Sequence, residues 1–214
     1  DPAYYTIRQK LLYLLRLVPF VEKNYNMIEL GPRETGKTYT YRNTSPRSFV
    51  ISGGSTTPAT LFYHKGVKRL GIIGQKDVVY FDEIGRTRFA DADATVNILK
   101  DYMQTGQFSR GDQEFTSTAS IVLAGNIELD VKDGVSKPSE RYTHWLAVLP
   151  PEINTDTAFI DRLNAYVPGW EFSKIKKEKY AKGYGFMTDY FAEILKRLRE
   201  RAIQTIVASH VDFG

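Results

Sequence analysis

The chain has 214 residues, 42% hydrophobic and 25% charged, which suits one large domain, or one domain and part of a second, folding around a core in water. Cysteine is absent and His64, His144 and His210 lie far apart, so disulfides, thiolate metal centres and histidine clusters with transition-metal spacing are excluded. The net charge of +4 permits a polyanionic partner without demanding one; no apolar run reaches the ~18 residues of a membrane span and nothing reads as a secretion signal, so no membrane partner and a cytoplasmic location are expected.

Tyr4, Ile7, Leu11, Leu14, Leu15 and Val18 recur at helical spacing up to Pro19, which predicts an amphipathic helix with its apolar stripe in the core and its end at the proline. Asn26–Leu30 reads as a short strand running into a glycine-containing loop, and Thr38–Arg42 begins a helix. Ser48–Ser52 is a second apolar run, closed by Gly53 and Gly54. Residues 61–73 mix aromatics, basics and glycines, as a hairpin or a short helix and strand would. Val78–Phe81 is a buried strand, Thr95–Met103 a helix, Gly106–Phe115 a hairpin and Ser120–Ala124 a third buried strand. Arg162–Val167 leads into a strand ending at Pro168 and Gly169, and Tyr190–Arg201 is a helix. Short apolar strands alternating with helices predict an α/β domain whose mostly parallel sheet is covered on both faces. A boundary falls near Pro168–Lys179, where the alternation stops, dividing the chain into 1–170 and 171–214.

Gly31-Pro32-Arg33-Glu34-Thr35-Gly36-Lys37-Thr38 fits the phosphate-loop pattern G-x-x-x-x-G-K-[ST]. Glycines let backbone N–H groups curl around phosphates, and the helix that follows turns its positive end towards them. In that pattern Lys37 reaches the β- and γ-phosphates of ATP and the Thr38 hydroxyl ligates Mg²⁺. The expected strand and helix flank the loop, which sets it apart from a surface turn that matches by chance. Val78–Phe81 ends in Asp82 and Glu83. The first acid is placed to hold Mg²⁺ and the second to take a proton from an attacking water; spacing from Lys37 favours this over a simple helix cap. Asn126 ends the Ser120–Ala124 run, where it can orient that water or contact the γ-phosphate, as well as merely close a turn. Arg162, in Phe159-Ile160-Asp161-Arg162-Leu163, can reach towards a neighbouring subunit's nucleotide or be a surface side chain paired with Asp161, and the sequence leaves both open.

With these elements in order the chain resembles an AAA+ ATPase core: GPRETGKT, VVYFDE, IVLAGN and AFIDRL match Walker A, Walker B, sensor 1 and the arginine-finger region. The longer strings LLYLLRLVPFVEKNYNMIELGPRETGKT, FVISGG, LFYH, DVVYFDEI, ILKDYMQTGQFSRG and FIDRLNAYVPGW are similar to the BrxL family, the Lon-protease-like AAA+ proteins of BREX phage defence. The likeness covers nearly the whole chain to about Arg199. It implies an ATP- and Mg-dependent homo-oligomeric ring motor in a bacterial or archaeal cytoplasm. Its core also resembles MCM-type helicases, with duplex DNA as the expected partner and other phage-defence proteins as further ones. Residues 171–214 would then begin a helical lid, no sensor-2 arginine is assigned, and peptidase chemistry is not expected from this chain. Three uses of such a core compete: a DNA motor or clamp, an unfoldase feeding a Lon-type peptidase, and a slowly hydrolysing scaffold. Lys65, Lys68, Arg69 and Arg110, on the two expected hairpins, are the candidate nucleic-acid contacts and lean towards DNA.

Overall fold

The computed structural model describes residues 2–132 and 134–201. Helices α1 (Ile7–Leu15) and α2 (Val18–Val21) lead into strand β1 (Met27–Gly31), the glycine loop and helix α3 (Lys37–Asn43). Strand β2 (Ser48–Thr56) and helix α4 (Pro58–Leu61) precede a small hairpin of β3 (Tyr63–His64) and β4 (Arg69–Leu70). Strand β5 (Val78–Phe89), helix α5 (Ala92–Thr105) and the hairpin β6 (Gln107–Arg110)–β7 (Gln113–Thr116) come next. After β8 (Ser120–Asn126) comes a third hairpin, β9 (Leu129–Lys132)–β10 (Val135–Pro138). The chain continues through α6 (Pro151–Asn154), α7 (Thr157–Ile160) and β11 (Ala165–Pro168) to α8 (Thr188–Arg199).

Five strands form one sheet in the order β11-β1-β8-β5-β2, and every neighbouring pair is parallel. This is the α/β domain with a parallel sheet covered on both faces that the alternation predicts. β8 separates the strand before the glycine loop from the strand bearing the acidic pair. Parallel strands need covering on both faces, and side chains alternate accordingly. Ile28, Leu30, Val79, Phe81, Ile121 and Leu123 point into one core, shared with α4, α5, α6 and α7. Met27, Val78, Tyr80, Val122 and Ala124 point into the other, with Leu12, Phe20, Tyr41 and Leu195 from α1, α2, α3 and α8. Tyr41 stacks on Tyr80 at 4.5 Å and on Phe20 at 5.6 Å, fixing α3 and therefore the loop before it. Each such pair is worth about 0.5–1.5 kcal/mol beyond its buried area.

Several expectations change. The first helix ends at Leu15, because Pro19 opens the separate turn α2 rather than stopping a longer helix. Its N-terminus is Thr6, whose hydroxyl accepts from the Gln9 N–H while the Gln9 side chain accepts from the Thr6 N–H. The stripe assigned to the core is largely outside: Tyr4, Ile7, Leu11 and Leu14 are 54%, 77%, 60% and 60% exposed, whereas Leu12 and Arg16 face inward. Strand β2 does not close at Gly53 and Gly54 but runs on to Thr56. The partner β5 bulges there, with Ser52 opposite Asp82 and Gly54 opposite Thr87. Residues 61–73 contain both a hairpin and short helical turns. The hairpin at 129–138 has no counterpart among the predicted elements. In the segment 171–214, α8 packs against α2, and Arg199 reaches the carbonyls of Pro19, Glu22, Asp77 and Thr118; residues 202–214 lie outside the described residues.

Candidate nucleotide site

Parallel strands run towards one edge of the sheet, where the glycine loop after β1, Asp82 and Glu83 at the bulge of β5 and Asn126 at the end of β8 lie together. Register places Gly31 beside Asn126 and Ser52 beside Asp82. A cavity of about 300 Å³ is lined by residues 33–39 together with Asp82, Glu83 and Asn126. The loop is held tightly. A Cβ on Gly31 would lie 2.4 Å from the backbone of Gly169, so only glycine lets β1 pass the end of β11. Gly36 has φ +80°, a left-handed turn that starts α3.

Lys37 folds back into its own loop: Nζ donates to the carbonyls of Gly31 at 2.9 Å and Pro32 at 2.6 Å. It is 7% exposed. Burial pushes its ammonium down to about 8, helped by the Arg16 charge and opposed by Glu29 and Asp82. The Thr38 hydroxyl lies 3.0 Å from Oδ2 of Asp82, bringing one hydroxyl and one carboxylate oxygen to a single point. That donor set fits Mg²⁺, which binds few protein oxygens and keeps several waters. Glu83 sits in the β5 bulge at φ +50°, and its carboxylate pairs with Arg86 at 3.1 Å. Both partners are well exposed, so the pair is weak and Glu83 can turn towards the cavity.

A larger cavity of about 620 Å³ adjoins the first and shares Thr35, Gly36 and Tyr39 with it. Its walls include Tyr5 and Tyr13 from the N-terminal segment and Ile175 and Tyr180 from the stretch after β11. That stretch straps the loop: the Ile175 N–H donates to the Glu34 carbonyl at 2.9 Å, and Lys174 pairs with the Glu34 carboxylate at 2.9 Å. Sequence reasoning missed these aromatics because they lie far from the motif on both sides; Tyr4, Tyr5 and Tyr13 before it and Tyr180, Tyr184 and Tyr190 well after it are their trace in the sequence.

Arg162 lies outside both cavities, its guanidinium donating to the Ala158 carbonyl and, at 2.5 Å, to the Gln104 side chain rather than to Asp161. Lys65, Lys68 and Arg69 are exposed on the β3–β4 hairpin and Arg110 is half-buried on β6. The two hairpins lie together: a Cβ on Gly111 would sit 3.0 Å from Nζ of Lys65, and the Tyr63 and Phe115 rings are 4.7 Å apart.

Residues 1–214 match the family described as "Lon-like protease BrxL-like, ATPase domain". The chain belongs to this family. It is 42% identical over 214 residues to the "Lon-like protease BrxL" of Escherichia coli O9:H4 (strain HS), covering 100% of this chain and 30% of that protein. Against the protein of the same name from Bacillus cereus (strain H3081.97) it is 43% identical over 201 residues, 94% of this chain and 29% of the relative. The BrxL-type ATPase domain thus spans under a third of those curated relatives. Among solved structures, a putative ATPase from Cytophaga hutchinsonii superposes with a TM-score of 0.46 at 14% identity, covering 97% of this chain and 52% of that one. NtrX from Brucella abortus in complex with ATP gives 0.36 at 16% identity, over 57% of this chain and 30% of that one. No described helix is long and apolar enough to cross a membrane.

Proposed function

We propose that this domain binds and hydrolyses ATP as one subunit of a homo-oligomeric ring motor. The observation that carries the reading is the convergence of Lys37, Thr38, Asp82, Glu83 and Asn126, from the start of α3, the bulge of β5 and the end of β8, on a single cavity. The substrate is the magnesium complex of ATP, whose cation neutralises charge on the phosphates. The N–H groups of the Gly31–Thr38 loop and the Lys37 ammonium hold the β- and γ-phosphates. Thr38 and Asp82 hold the Mg²⁺ end of the site, and the larger aromatic cavity takes the base. Glu83 releases Arg86 and accepts a proton from the water that attacks the γ-phosphorus, as the bond to the ADP oxygen breaks. Asn126 fixes that water or the γ-phosphate. In the full-length assembly, Lys37→Ala should abolish tight ATP binding, while Glu83→Gln should retain binding and stall turnover. Wild-type turnover by Glu83→Gln would remove Glu83 as the base.

The motor's partner in this reading is duplex DNA, in the phage-defence setting that the family resemblance implies. Support comes from the paired hairpins. Their aromatics Tyr63 and Phe108 are buried, 7% and 2% exposed, leaving Lys65, Lys68 and Arg69 to face outward. A protein-threading loop would present the aromatics instead, so the arrangement favours phosphate contacts over an unfoldase.

A further inference from the structure

Behind the phosphate loop lies a buried ion pair whose arginine also forms part of the wall of the larger cavity. Arg16, just past α1, is 1% exposed, and Glu29, in the middle of β1, is 0% exposed. Nε of Arg16 donates to Oε2 of Glu29 at 2.9 Å, and Nη2 donates to Oε1 at 2.5 Å. The guanidinium lies against the Phe172 ring, 3.7 Å from its centroid. Met27, Tyr41 and Val167 belong to the same core. Burying two charges is expensive, and an apolar pair of similar volume is often as stable or more so. Stability alone therefore gives no reason for this pair.

What an apolar pair cannot do is donate a third hydrogen bond. Nη1 of Arg16 donates to the Thr35 carbonyl at 3.0 Å, inside the phosphate loop. Thr35 is 1% exposed and stands between Glu34 at φ +69° and Gly36 at φ +80°. A non-glycine residue in the left-handed region persists only where its surroundings over-determine it. In a planar trans peptide the C=O and the next N–H point in opposite directions. Fixing the Thr35 carbonyl on Arg16 therefore fixes the Gly36 N–H pointing away from Arg16, and Gly36 lines the phosphate-side cavity.

We propose that Arg16, oriented by Glu29, is a positioning residue for phosphate binding: it locks the Thr35–Gly36 peptide so that the loop is a preformed N–H cradle before nucleotide arrives. The proposal rests on the ATP reading of the site. Phe172, which covers the guanidinium, opens the strap that walls the larger cavity, so one side chain supports both halves of the site.

The test is the double variant Arg16→Met with Glu29→Leu in the full-length assembly, which removes both charges together and leaves neither buried alone. Its melting temperature, its dissociation constant for ATP and its kcat and KM are measured beside wild type. Loss of the clamp should weaken ATP binding about tenfold, equivalent to about 1.4 kcal/mol. KM should rise accordingly and kcat at saturation should change far less, with melting close to wild type. A folded double variant that binds ATP with wild-type affinity overturns the proposal and leaves the pair a structural one. If the double variant does not fold, Arg16→Lys decides, since it keeps the charge but not the three-way fork. Weakened binding by folded Arg16→Lys supports the clamp, and unchanged binding overturns it. Wild-type protein that fails to bind ATP would instead sink the ATP reading itself.

Discussion

Lys37 offers a quantitative test of the ATP reading, because the side chain proposed to meet phosphate is buried in its own loop. With its ammonium lowered to about 8, the lysine is largely charged at pH 7 and largely neutral at pH 9. Bound phosphates favour the charged form and push the value back up. For a group titrating near 8 when free and well above 9 when bound, the apparent dissociation constant scales as one plus the ratio of neutral to charged lysine. That factor is about 1.1 at pH 7 and about 11 at pH 9, so ATP should bind about tenfold more weakly at pH 9. Binding at pH 8 should draw in about half a proton, since half the free lysines are neutral there. The phosphates themselves titrate near 6 and contribute little over this range. Calorimetric titration at pH 8 in two buffers of different ionisation enthalpy reads the proton uptake directly. Pairing Lys37→Arg, whose cation does not titrate over this range, with wild type assigns it to this residue. Proton uptake near zero at pH 8, or affinity flat between pH 7 and 9, would refute the buried, phosphate-responsive lysine. The same lowering sets a stability trend of opposite kind. Between about 8 and the ordinary lysine value of 10.5 the unfolded chain holds more proton, so stability of the nucleotide-free fold should rise with pH across that window.

Three further outcomes follow from the packing. Mixing Arg162→Ala with Glu83→Gln subunits should restore part of the hydrolysis that each variant lacks alone, because some interfaces then join an intact Glu83 to an intact Arg162; co-assembled mixtures that stay inactive would contradict action across subunits. Neutralising Lys65, Lys68, Arg69 and Arg110 together should weaken duplex binding for all sequences alike and flatten its salt dependence by about one unit of slope for every DNA phosphate that is no longer neutralised, measured by titration at several salt concentrations. Arg199→Met strands the four carbonyls of Pro19, Glu22, Asp77 and Thr118 beneath α8 and should cost about 3 kcal/mol, or about 6–12 °C in thermal melting, with no direct effect on the nucleotide cavity.

Central strands were legible in the sequence because a parallel strand covered on both faces must be apolar at every position, as Val78–Phe81 and Ile121–Ala124 are. The N-terminal helix was not legible in the same way. Spacing identifies a stripe but not which stripe faces the core, and here the inward face carries Arg16, a residue that hydrophobic periodicity counts as polar. Glu29 gave a usable signal, an acid inside the apolar run Met27–Leu30, but its partner is thirteen positions back on another element, and that distance belongs to the fold. The β5 bulge escaped for a similar reason. Gly53 and Gly54 read as a strand end, yet their positive φ values let the strand jog and pair again beyond Glu83.

The motifs far apart in sequence could be read together because of strand direction. All five strands are parallel and run towards the same edge, so the loop after Gly31, Asp82 at the β5 bulge and Asn126 at the end of β8 meet there although the sequence holds them far apart. The same rule places Arg162 at the other edge. It precedes β11, whose first residue Ala165 pairs with Met27 at the start of β1, whereas the phosphate loop follows Gly31 at the end of that strand. Four residue steps of strand separate the two edges, about 13 Å at the usual rise. The sheet itself lies between them, and Arg162 is turned onto Gln104 at the end of α5. The phosphate loop of its own chain is therefore out of reach of its side chain. Any part Arg162 takes in hydrolysis would need a second copy to present its phosphate loop to that face, which is the arrangement that mixing Arg162→Ala with Glu83→Gln subunits tests.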